Sequence, residues 1–468
     1  MDVITWLSAA LGPEAVAAGV LSTDPAELDA LRSDRSGWVS PGRPLARVAA
    51  RSVADVQATM QAATEFRIPV VPRGTGTGLA GGANGTDGAI VLSVAGMDRI
   101  LEISPEDELA VVEPGVINAD LNAALRPYGL WFAPDPASKA ISSVGGNIAT
   151  NAGGLLCAKY GVTREAVLGL SVVLPDGRLI RTGHRTVKGV TGFDLTALFV
   201  GSEGTLGVIV DATVRALPLP VGGVTTIGAL FPDVGQAAAA SARVTASRLR
   251  PAVMELLDGP ALERIADYLG TETIEAAMGT SAMGTSGGAA FLLVQFDGLA
   301  SGTDAAAASE LIRASGGTVR MSADAAEGER LLAIRRAFHP ALEAHGNVLI
   351  EDVSVPRSRM PKMFAAIRAI GEKYDIAIPT VAHAGDGNLH PNFVYDGDEV
   401  PDRVWDAAGE LFRTAIELGG TLTGEHGVGL LKRRWLADEL GADAYELQVK
   451  LKSVFDPLGI MNPGKVFG

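Results

Sequence analysis

The sequence predicts an α+β protein of two domains. The chain has 468 residues, of which 47% are hydrophobic and 20% charged, as in soluble globular proteins. Strands alternate with helices after residue 45 and give way to hairpins before Pro220, and a β-α-β-β-α-β order follows. We therefore predict a helical lead-in over 1–45, a first domain over 46–220, a second over 221–426, and a helical segment over 427–468.

The elements of the first domain follow from hydrophobic periodicity. Helical spacing predicts a helix over 52–66, and apolar runs bounded by Gly and Pro predict strands. The stretch VVLPDGRLI predicts a hairpin, because Asp-Gly adopts the positive φ of a tight turn. The further predicted elements are strands at 68–72, 89–94 and 108–116 and a helix at 118–129.

The second domain is predicted as a ferredoxin-like unit with an antiparallel sheet. Strands at 225–231, 252–258, 291–298 and 318–323 and helices at 234–249 and 301–315 supply the β-α-β-β-α-β order. The tandem repeat AMGTSAMGTSGG, residues 277–288, predicts a flexible loop. Two helices, 429–441 and 444–457, are predicted near the C-terminus.

Charge and cysteine content exclude several classes of function. The net charge of −15 disfavours nucleic acid and anionic membrane surfaces as partners. The single cysteine, Cys157, excludes an intrachain disulfide and a four-cysteine iron–sulfur cluster. No apolar run predicts a membrane span, and the N-terminus has no Lys or Arg ahead of its apolar stretch, so a surface helix is favoured over a secretion signal. We expect a cytoplasmic protein.

Three glycine-rich loops follow predicted strands, at 72–82, 142–154 and 201–209. Glycines expose backbone N–H groups, which suits a pyrophosphate, although any one loop could be an ordinary turn. A Rossmann site is disfavoured because the first loop is followed neither by a clear helix nor by an acidic residue about 20 positions on. A P-loop is excluded because no Gly-Lys-Ser/Thr occurs.

Three of the six histidines lie in two motifs, HAGDGNLH and GEHGVG. The Gly385–Gly387 turn can fold His383 back toward His390, while Glu425 and His426 occupy a glycine-flanked bend before a predicted helix. Two histidines and a carboxylate form a common divalent-metal set. The residues leave a second interpretation open, that these are buried, hydrogen-bonded polar groups.

A pair of arginines, Arg335 and Arg336, precedes His339 in AIRRAFHPAL. A guanidinium binds a carboxylate through two parallel hydrogen bonds, which suits a 2-hydroxy acid. A solvated helix face would also explain the pair.

Eight stretches carry a family resemblance: PRGTGTGLAGG, SSVGGNIATNAGG, AKYGVTREAVLGLSVVLPDG, GFDLTALFVGSEGTLGVI, EDVSVPRSR, HAGDGNLHPN, GEHGVG and NPGKVF. From about residue 45 to 467 the chain resembles flavoproteins of the vanillyl-alcohol oxidase/p-cresol methylhydroxylase superfamily, in particular the D-lactate dehydrogenase and glycolate oxidase flavoprotein-subunit group. The resemblance implies a PCMH-type FAD-binding domain, a ferredoxin-like antiparallel cap domain, and C-terminal helices that complete the FAD site.

The resemblance also implies the residues that hold FAD. Relatives that attach FAD covalently use a histidine of the first loop, which this loop lacks, so the FAD is expected to be non-covalent. The implied contacts come from the three glycine loops, Asp135 and the C-terminal tail: Pro72, Arg73, Gly74, Thr75, Gly76, Thr77, Gly78, Asp135, Ser142, Gly145, Gly146, Asn147, Thr150, Gly204, Ile209, Asn462 and Lys465.

By the same resemblance, a divalent metal, commonly zinc, is bound by His383, His390 and Glu425, and His426 is the base. Arg335 aligns with a substrate-carboxylate arginine, and His339 and Asn392 are implied substrate contacts. His339 stands where 2-hydroxyglutarate enzymes carry threonine, and Ile350 where they carry a lysine. The departure at Ile350 favours a small monocarboxylate, lactate or glycolate, over a dicarboxylate. A related non-redox enzyme, alkylglycerone-phosphate synthase, has a histidine run at Glu425-His426, which favours the redox branch here.

The implied function is FAD-dependent oxidation of D-lactate or glycolate to the 2-oxo acid. A metal would polarise the hydroxyl, His426 would take its proton, and the hydride would pass to flavin N5. Three alternatives remain: a D-2-hydroxyglutarate dehydrogenase-like enzyme, a metal-dependent hydrolase, and a non-catalytic flavin-binding subunit. With no cluster of its own, the protein needs an external electron acceptor or a partner subunit. We also expect a homo-oligomer.

Overall fold

The computed structural model describes residues 2–279, 289–397 and 399–467 and confirms the α+β class. The chain forms two compact units. The first unit comprises Met1–Gly153, Gly161–Leu219 and Glu425–Gly468, and the second comprises Gly154–Tyr160 and Pro220–Gly424. Residues 280–288, most of the predicted flexible loop, lie outside the described residues, and residues 277 and 278 end a helix.

The chain up to residue 219 holds nine helices and eleven strands among the described residues. The helices are α1 Val3–Leu11, α2 Pro13–Ala17, α3 Pro25–Ala30, α4 Val53–Phe66, α5 Asn118–Leu125, α6 Val144–Thr150, α7 Cys157–Tyr160, α8 Thr163–Ala166 and α9 Leu195–Phe199. The strands are β1 Leu21–Ser22, β2 Ala46–Ala49, β3 Val70–Arg73, β4 Ile90–Ser93, β5 Ile100–Ser104, β6 Leu109–Val112, β7 Leu130–Trp131, β8 Val167–Val173, β9 Leu179–Gly183, β10 Val208–Arg215 and β11 Leu217–Pro218. All but α7 belong to the first unit.

Two sheets organise the first unit. One has the order β1-β2-β4-β3 and pairs β4 in parallel with β2 and β3, while the other, β5-β6-β10-β8-β9, is antiparallel. Helix α4 begins where the Ser52 hydroxyl accepts the Asp55 N–H, and it packs Val56 and Met60 into the core beside the first sheet. The predicted Asp176-Gly177 hairpin is confirmed: it joins β8 to β9, with Gly177 at φ +83°.

The second unit is built on one large antiparallel sheet. Its strands are β12 Gly223–Phe231, β13 Val253–Leu257, β14 Ala290–Gly298, β15 Thr318–Met321, β16 Asn347–Ile350, β17 Val353–Ser354, β18 Thr380–His383 and β19 Asn388–Tyr395. Its helices after α7 are α10 Val234–Ala246, α11 Gly259–Leu269, α12 Thr271–Met278, α13 Ser301–Arg313, α14 Ala325–Arg336, α15 Phe338–Glu343, α16 Met360–Tyr374 and α17 Asp402–Glu417.

The strand order of this sheet confirms the ferredoxin-like prediction. Strands β15, β12, β14 and β13 lie side by side, which is fourth, first, third, second in order of appearance. Helices α10 and α13 supply the two crossovers. The sheet then continues from β13 to β18, β19 and β16, so the two histidines of HAGDGNLH lie on strands next to the ferredoxin-like core.

The C-terminal segment differs from the prediction at its start. The predicted helix over 429–441 begins only with a 3-10 turn at Arg433–Trp435 and continues as α18, Leu436–Phe455, which bends at Gly441. Gly427 and Gly429 both have positive φ, so helical geometry cannot extend back to GEHGVG. The helix expected directly after Glu425-His426 is therefore absent. No helix of the described residues is long and apolar enough to cross a membrane.

Candidate active site

The three glycine loops meet within the first unit. A Cβ at Gly74 would lie 2.6 Å from the Ser143 hydroxyl and 3.8 Å from the Gly146 Cα, so the first and second loops touch. A Cβ at Gly204 would lie 3.1 Å from Pro72, which brings in the third loop. Three loops far apart in sequence thus share one location.

The first loop offers donors of the kind a pyrophosphate needs. In the part of the chain that the structure describes, the backbone N–H groups of residues 75–80 have no hydrogen-bond partner. Beside them the Ser142 hydroxyl and the Asn147 amide nitrogen are buried, also without a partner among the described residues. Unpaired buried polar groups cost about 1–3 kcal/mol each, which a polar ligand could offset. The predicted residues therefore fit FAD chemically.

The Arg73 guanidinium forms hydrogen bonds with carbonyl groups of the protein. Its guanidinium donates to the Ala83 carbonyl at 2.8 Å and to the Ser33 carbonyl at 3.0 Å. Burial lowers its pKa, against the opposing charge of Asp34. The side chain therefore holds the first loop in place through these two hydrogen bonds.

The C-terminal tail closes on the same loops. The Asn462 amide donates to the carbonyls of Gly82 and Glu203, at 3.0 and 2.7 Å, and the Lys465 ammonium donates to Asn462 Oδ1 at 2.8 Å. Burial lowers the pKa of Lys465 to about 7. Lys465 is thus a buried amine beside the loops, and the resemblance predicts that it contacts the flavin.

The remaining predicted FAD residues belong to the same unit. The Asp135 carboxylate is buried, with Lys139 at 3.8 Å. Thr150 ends α6, and its hydroxyl donates to the Gly146 carbonyl, while Ile209 lies on β10. A Cβ at Gly145 would lie 2.4 Å from Pro114, so Gly145 is required by backbone packing.

Glu203, in the third loop, was missed as a functional residue. Its carboxylate accepts the N–H groups of Val428 and Gly429 at 2.7 and 2.8 Å, so it holds the second half of GEHGVG. Burial raises the pKa of Glu203 to about 7, and the two N–H donors oppose that rise. The signal was available in the sequence, because Glu203 is the one charged residue in the stretch ALFVGSEGTLGVIV, and a buried charge needs a partner.

The β18–β19 hairpin brings two predicted metal ligands together. His390 faces Val381 across the hairpin, so His383 is its diagonal neighbour on the same face. Their ring centroids are 5.0 Å apart. The turn requires Gly387, at φ +96°, where a Cβ would lie 2.1 Å from the Val355 carbonyl oxygen. Both imidazoles are buried.

Glu425 directly follows Gly424, the last residue of the second unit. The N–H of Gly424 donates to Asp352 at 2.8 Å. One ligand atom each from Glu425, His383 and His390 lie within 4.8 Å of one another. Two imidazole nitrogens and a carboxylate oxygen are the donor set of many zinc sites with an open position. The three residues therefore fit a divalent metal.

A second residue that sequence reasoning missed is Glu255 on β13, directly opposite His383 in the sheet register. Its side chain is fully buried. Oε1 accepts from His383 Nδ1 at 2.7 Å, and Oε2 accepts from Arg335 Nε at 2.7 Å. Burial would raise the pKa of Glu255, but its interactions with His383 and Arg335 lower it overall. Both oxygens accept hydrogen bonds, which is the pattern of a carboxylate.

Of the predicted pair Arg335 and Arg336 on α14, only Arg335 faces inward. Its side chain is 10% exposed, and within the described residues its two terminal nitrogens have no hydrogen-bond partner, because Glu255 engages only Nε. Arg336 is exposed and pairs with Glu329 at 2.7 Å. The solvated-face interpretation thus fits Arg336, and Arg335 keeps an unused edge that can bind an anion.

The remaining predicted substrate and base residues are His339, Asn392 and His426. His339 is half-buried, and its ring lies tilted at 60° to that of Phe338 with the centroids 5.3 Å apart. Asn392 is fully buried and donates to the His390 carbonyl at 2.7 Å, while its Oδ1 has no partner among the described residues. His426 is half-buried on the turn before Gly427.

Comparison with known proteins defines the class. Residues 44–183 match the family described as FAD binding domain, and residues 223–466 match FAD linked oxidases, C-terminal domain. The protein is therefore a two-domain flavoprotein. It belongs to the FAD-linked oxidase family, and the predicted resemblance is confirmed.

Relatives and solved structures agree with this family. The chain is 42% identical to the glycolate oxidase subunit GlcD of Bacillus subtilis, with 91% of this chain and 89% of that protein covered. It is 35% identical to a D-lactate dehydrogenase of Archaeoglobus fulgidus, with 88% and 89% covered. A crystal structure of p-cresol methylhydroxylase with substrate bound superposes with a TM-score of 0.79 at 17% identity, covering 99% of this chain and 96% of that one, which shows a shared fold.

Proposed function

We propose that the protein oxidises a small D-2-hydroxy acid, D-lactate or glycolate, to the 2-oxo acid with non-covalently bound FAD. The observation that carries the proposal is the buried chain Arg335–Glu255–His383, with bonds of 2.7 Å on both sides of the carboxylate. In this chain a guanidinium with an unused edge lies beside His383, one of the three residues that could hold a metal. A 2-hydroxy acid carries a carboxylate and a hydroxyl on neighbouring carbons, which suits such a pair of sites.

Each group then has a chemical task. FAD would supply the hydride acceptor, and a divalent metal, zinc in our proposal, would supply a Lewis acid for the hydroxyl. His383, His390 and Glu425 would hold the metal, and Arg335 would bind and orient the carboxylate. His426 would accept the hydroxyl proton, and His339 and Asn392 would contact the substrate.

Two features support a monocarboxylate over 2-hydroxyglutarate. Ile350, at the end of β16, lies opposite Asn392 in the sheet register, so an apolar side chain occupies a position that would need a cation for a second carboxylate. Relatives at 42% and 35% identity are named for glycolate oxidase and D-lactate dehydrogenase.

The electrons must leave the flavin through another molecule. The sequence has one cysteine and therefore no set of four for an iron–sulfur cluster. A relative is named as a subunit, which supports a partner subunit or a separate acceptor. We place the reaction in the cytoplasm and expect a homo-oligomer.

The substrate is tested by anaerobic bleaching of the flavin. We expect D-lactate or glycolate to reduce the flavin of the purified yellow protein, with L-lactate and D-2-hydroxyglutarate at least about tenfold slower, a difference of about 1.4 kcal/mol in barrier. Stopped-flow absorbance of the flavin band is the measurement, and dithionite reduction of the same sample is the control. Bleaching by none of the acids would favour a non-catalytic subunit, and protein without flavin would favour a hydrolase.

The metal is tested by chelation. Dialysis against EDTA is expected to lower turnover about tenfold or more, with recovery on adding Zn²⁺ or Mn²⁺, because a Lewis acid is worth several kcal/mol in such a step. EDTA saturated with Zn²⁺ before dialysis is the control for effects of the chelator itself. Full activity in protein shown to be metal-free by elemental analysis would contradict the metal role.

A further inference from the structure

Glu255 contacts both Arg335, the proposed carboxylate-binding residue, and His383, a proposed metal ligand. It lies in the middle of β13, in the apolar run VMELL, with His383 opposite it on β18. Among the described residues its only side-chain partners are Arg335 and His383, one on each carboxylate oxygen. A fully buried carboxylate is costly unless both oxygens are bonded, and here both are.

The two contacts constrain the two partners in specific ways. A carboxylate only accepts, so a neutral His383 carries its proton on Nδ1, which leaves Nε2 with the lone pair that a metal needs. The other oxygen engages Arg335 at Nε, the inner nitrogen, and leaves both terminal nitrogens for a planar anion.

We infer that Glu255 is a positioning residue that couples the carboxylate-binding arginine to the metal-binding histidine. It sets the tautomer of His383 and holds the guanidinium of Arg335 with its outer edge toward the substrate. This inference rests on the proposed function and deepens it, since it assigns both substrate anchoring and metal binding to one buried side chain.

Glu255→Gln isolates the role, because an amide cannot satisfy both partners. Its single oxygen is expected to stay with the charged Arg335, which turns the NH₂ group toward His383 and forces that imidazole to accept at Nδ1. The proton then moves to Nε2, where it blocks metal binding. We expect the tautomer to switch and the zinc affinity to fall about 10–100-fold, the usual cost of losing such a partner.

The tautomer is read without metal, substrate or turnover. Full-length, FAD-loaded protein is labelled with ¹⁵N-histidine, stripped of metal, and examined by long-range ¹H–¹⁵N correlation. Only six histidines contribute, and a His383→Gln spectrum assigns the signal. Zinc affinity is then measured by competition with a chromophoric chelator, and KM for the hydroxy acid by anaerobic flavin reduction.

Asp258→Asn is the matched control. Asp258 is a buried carboxylate three residues along the chain, and it accepts the N–H groups of Ala261 and Thr380 through the same oxygen, Oδ1. Asparagine retains that oxygen, so this variant removes a buried carboxylate from the same unit without touching Arg335 or His383. We expect the wild-type tautomer and a zinc affinity within about threefold of wild type.

A double variant gives a rescue that a purely structural role would not produce. In Arg335→Met/Glu255→Gln the amide has no guanidinium to satisfy and can turn its oxygen to His383. Zinc affinity should then return to within about threefold of wild type while KM stays as high as in Arg335→Met. If Glu255→Gln alone does not fold, the double variant still tests the role of Glu255. Loss of zinc binding in the double variant would overturn the inference.

The outcomes separate this inference from the proposed function. Unchanged tautomer, zinc affinity and KM in Glu255→Gln overturn the role of Glu255 and leave the proposed function standing. Wild-type protein that binds zinc but is bleached by no hydroxy acid overturns the proposed substrate, and the tautomer switch still tests Glu255. Wild-type protein that binds no zinc overturns both.

Discussion

Replacing His426 with alanine is expected to slow flavin reduction by the hydroxy acid about 10²–10⁴-fold while the protein keeps its FAD. A positioned general base contributes a factor of this size, and in the proposed reaction no other group takes the hydroxyl proton. The turn that carries His426 should survive, because Glu203 accepts the N–H groups of Val428 and Gly429 that follow it. Stopped-flow reduction under anaerobic conditions gives the rate, and the flavin absorbance of the same sample gives the cofactor content.

His184→Ala is the control for the loss of a histidine from the same unit. His184 is exposed, and its Nδ1 bonds only to groups of Thr186 within its own loop. It should reduce as fast as wild type. A His426→Ala enzyme that is reduced at the wild-type rate would eliminate the base assignment.

Arg335→Met is expected to lower kcat/KM for the hydroxy acid about 10–150-fold, from the roughly 1.5–3 kcal/mol of hydrogen bonds to a charged group. We expect kcat/KM to fall only for the hydroxy acid and not for a substrate that lacks the carboxylate. Propane-1,2-diol, which lacks the carboxylate, should be as poor a substrate for the variant as for wild type, so the preference for lactate over the diol should shrink by the same factor. Arg335→Lys keeps the charge but not the planar fork, and its effect should be intermediate.

Arg336→Met is the matched control, one residue along the same helix. Arg336 is exposed and pairs with Glu329 at the surface, where an ion pair contributes little. Its kcat/KM should stay within about twofold of wild type. An Arg335→Met enzyme that retains its preference for the acid over the diol would place carboxylate recognition elsewhere.

Much of the fold could be predicted from local patterns in the sequence. Alternating apolar residues around Asp176-Gly177 predicted a hairpin that the structure contains, because turn geometry and side-chain alternation depend on neighbouring residues only. The predicted helix over 429–441 failed at its start for the opposite reason. Residues 430–432 have helical propensity, yet Gly427 and Gly429 have positive φ. Their loop is held by Glu203, more than 220 positions earlier, which accepts the N–H groups of Val428 and Gly429.

Some residues of the candidate site could likewise be recognised from the sequence, and others could not. Its motif residues could be recognised in order along the chain, since glycines, histidines and arginines of unusual spacing stand out. Glu255 could not be assigned a partner from sequence, although an acidic residue inside VMELL signals that one exists. Its partners lie 80 and 128 positions away, at Arg335 and His383.

The sequence by itself determined the family, the glycine loops and the chemical types available: two imidazoles, a carboxylate and a guanidinium. These depend on residue identity and short-range spacing. Only the tertiary structure decided which edge of Arg335 is left unused and which nitrogen of His383 is engaged, because both depend on the antiparallel register that sets β13 against β18. Hydrogen-bond direction is a property of atoms brought together from distant positions, and the fold alone brings them together.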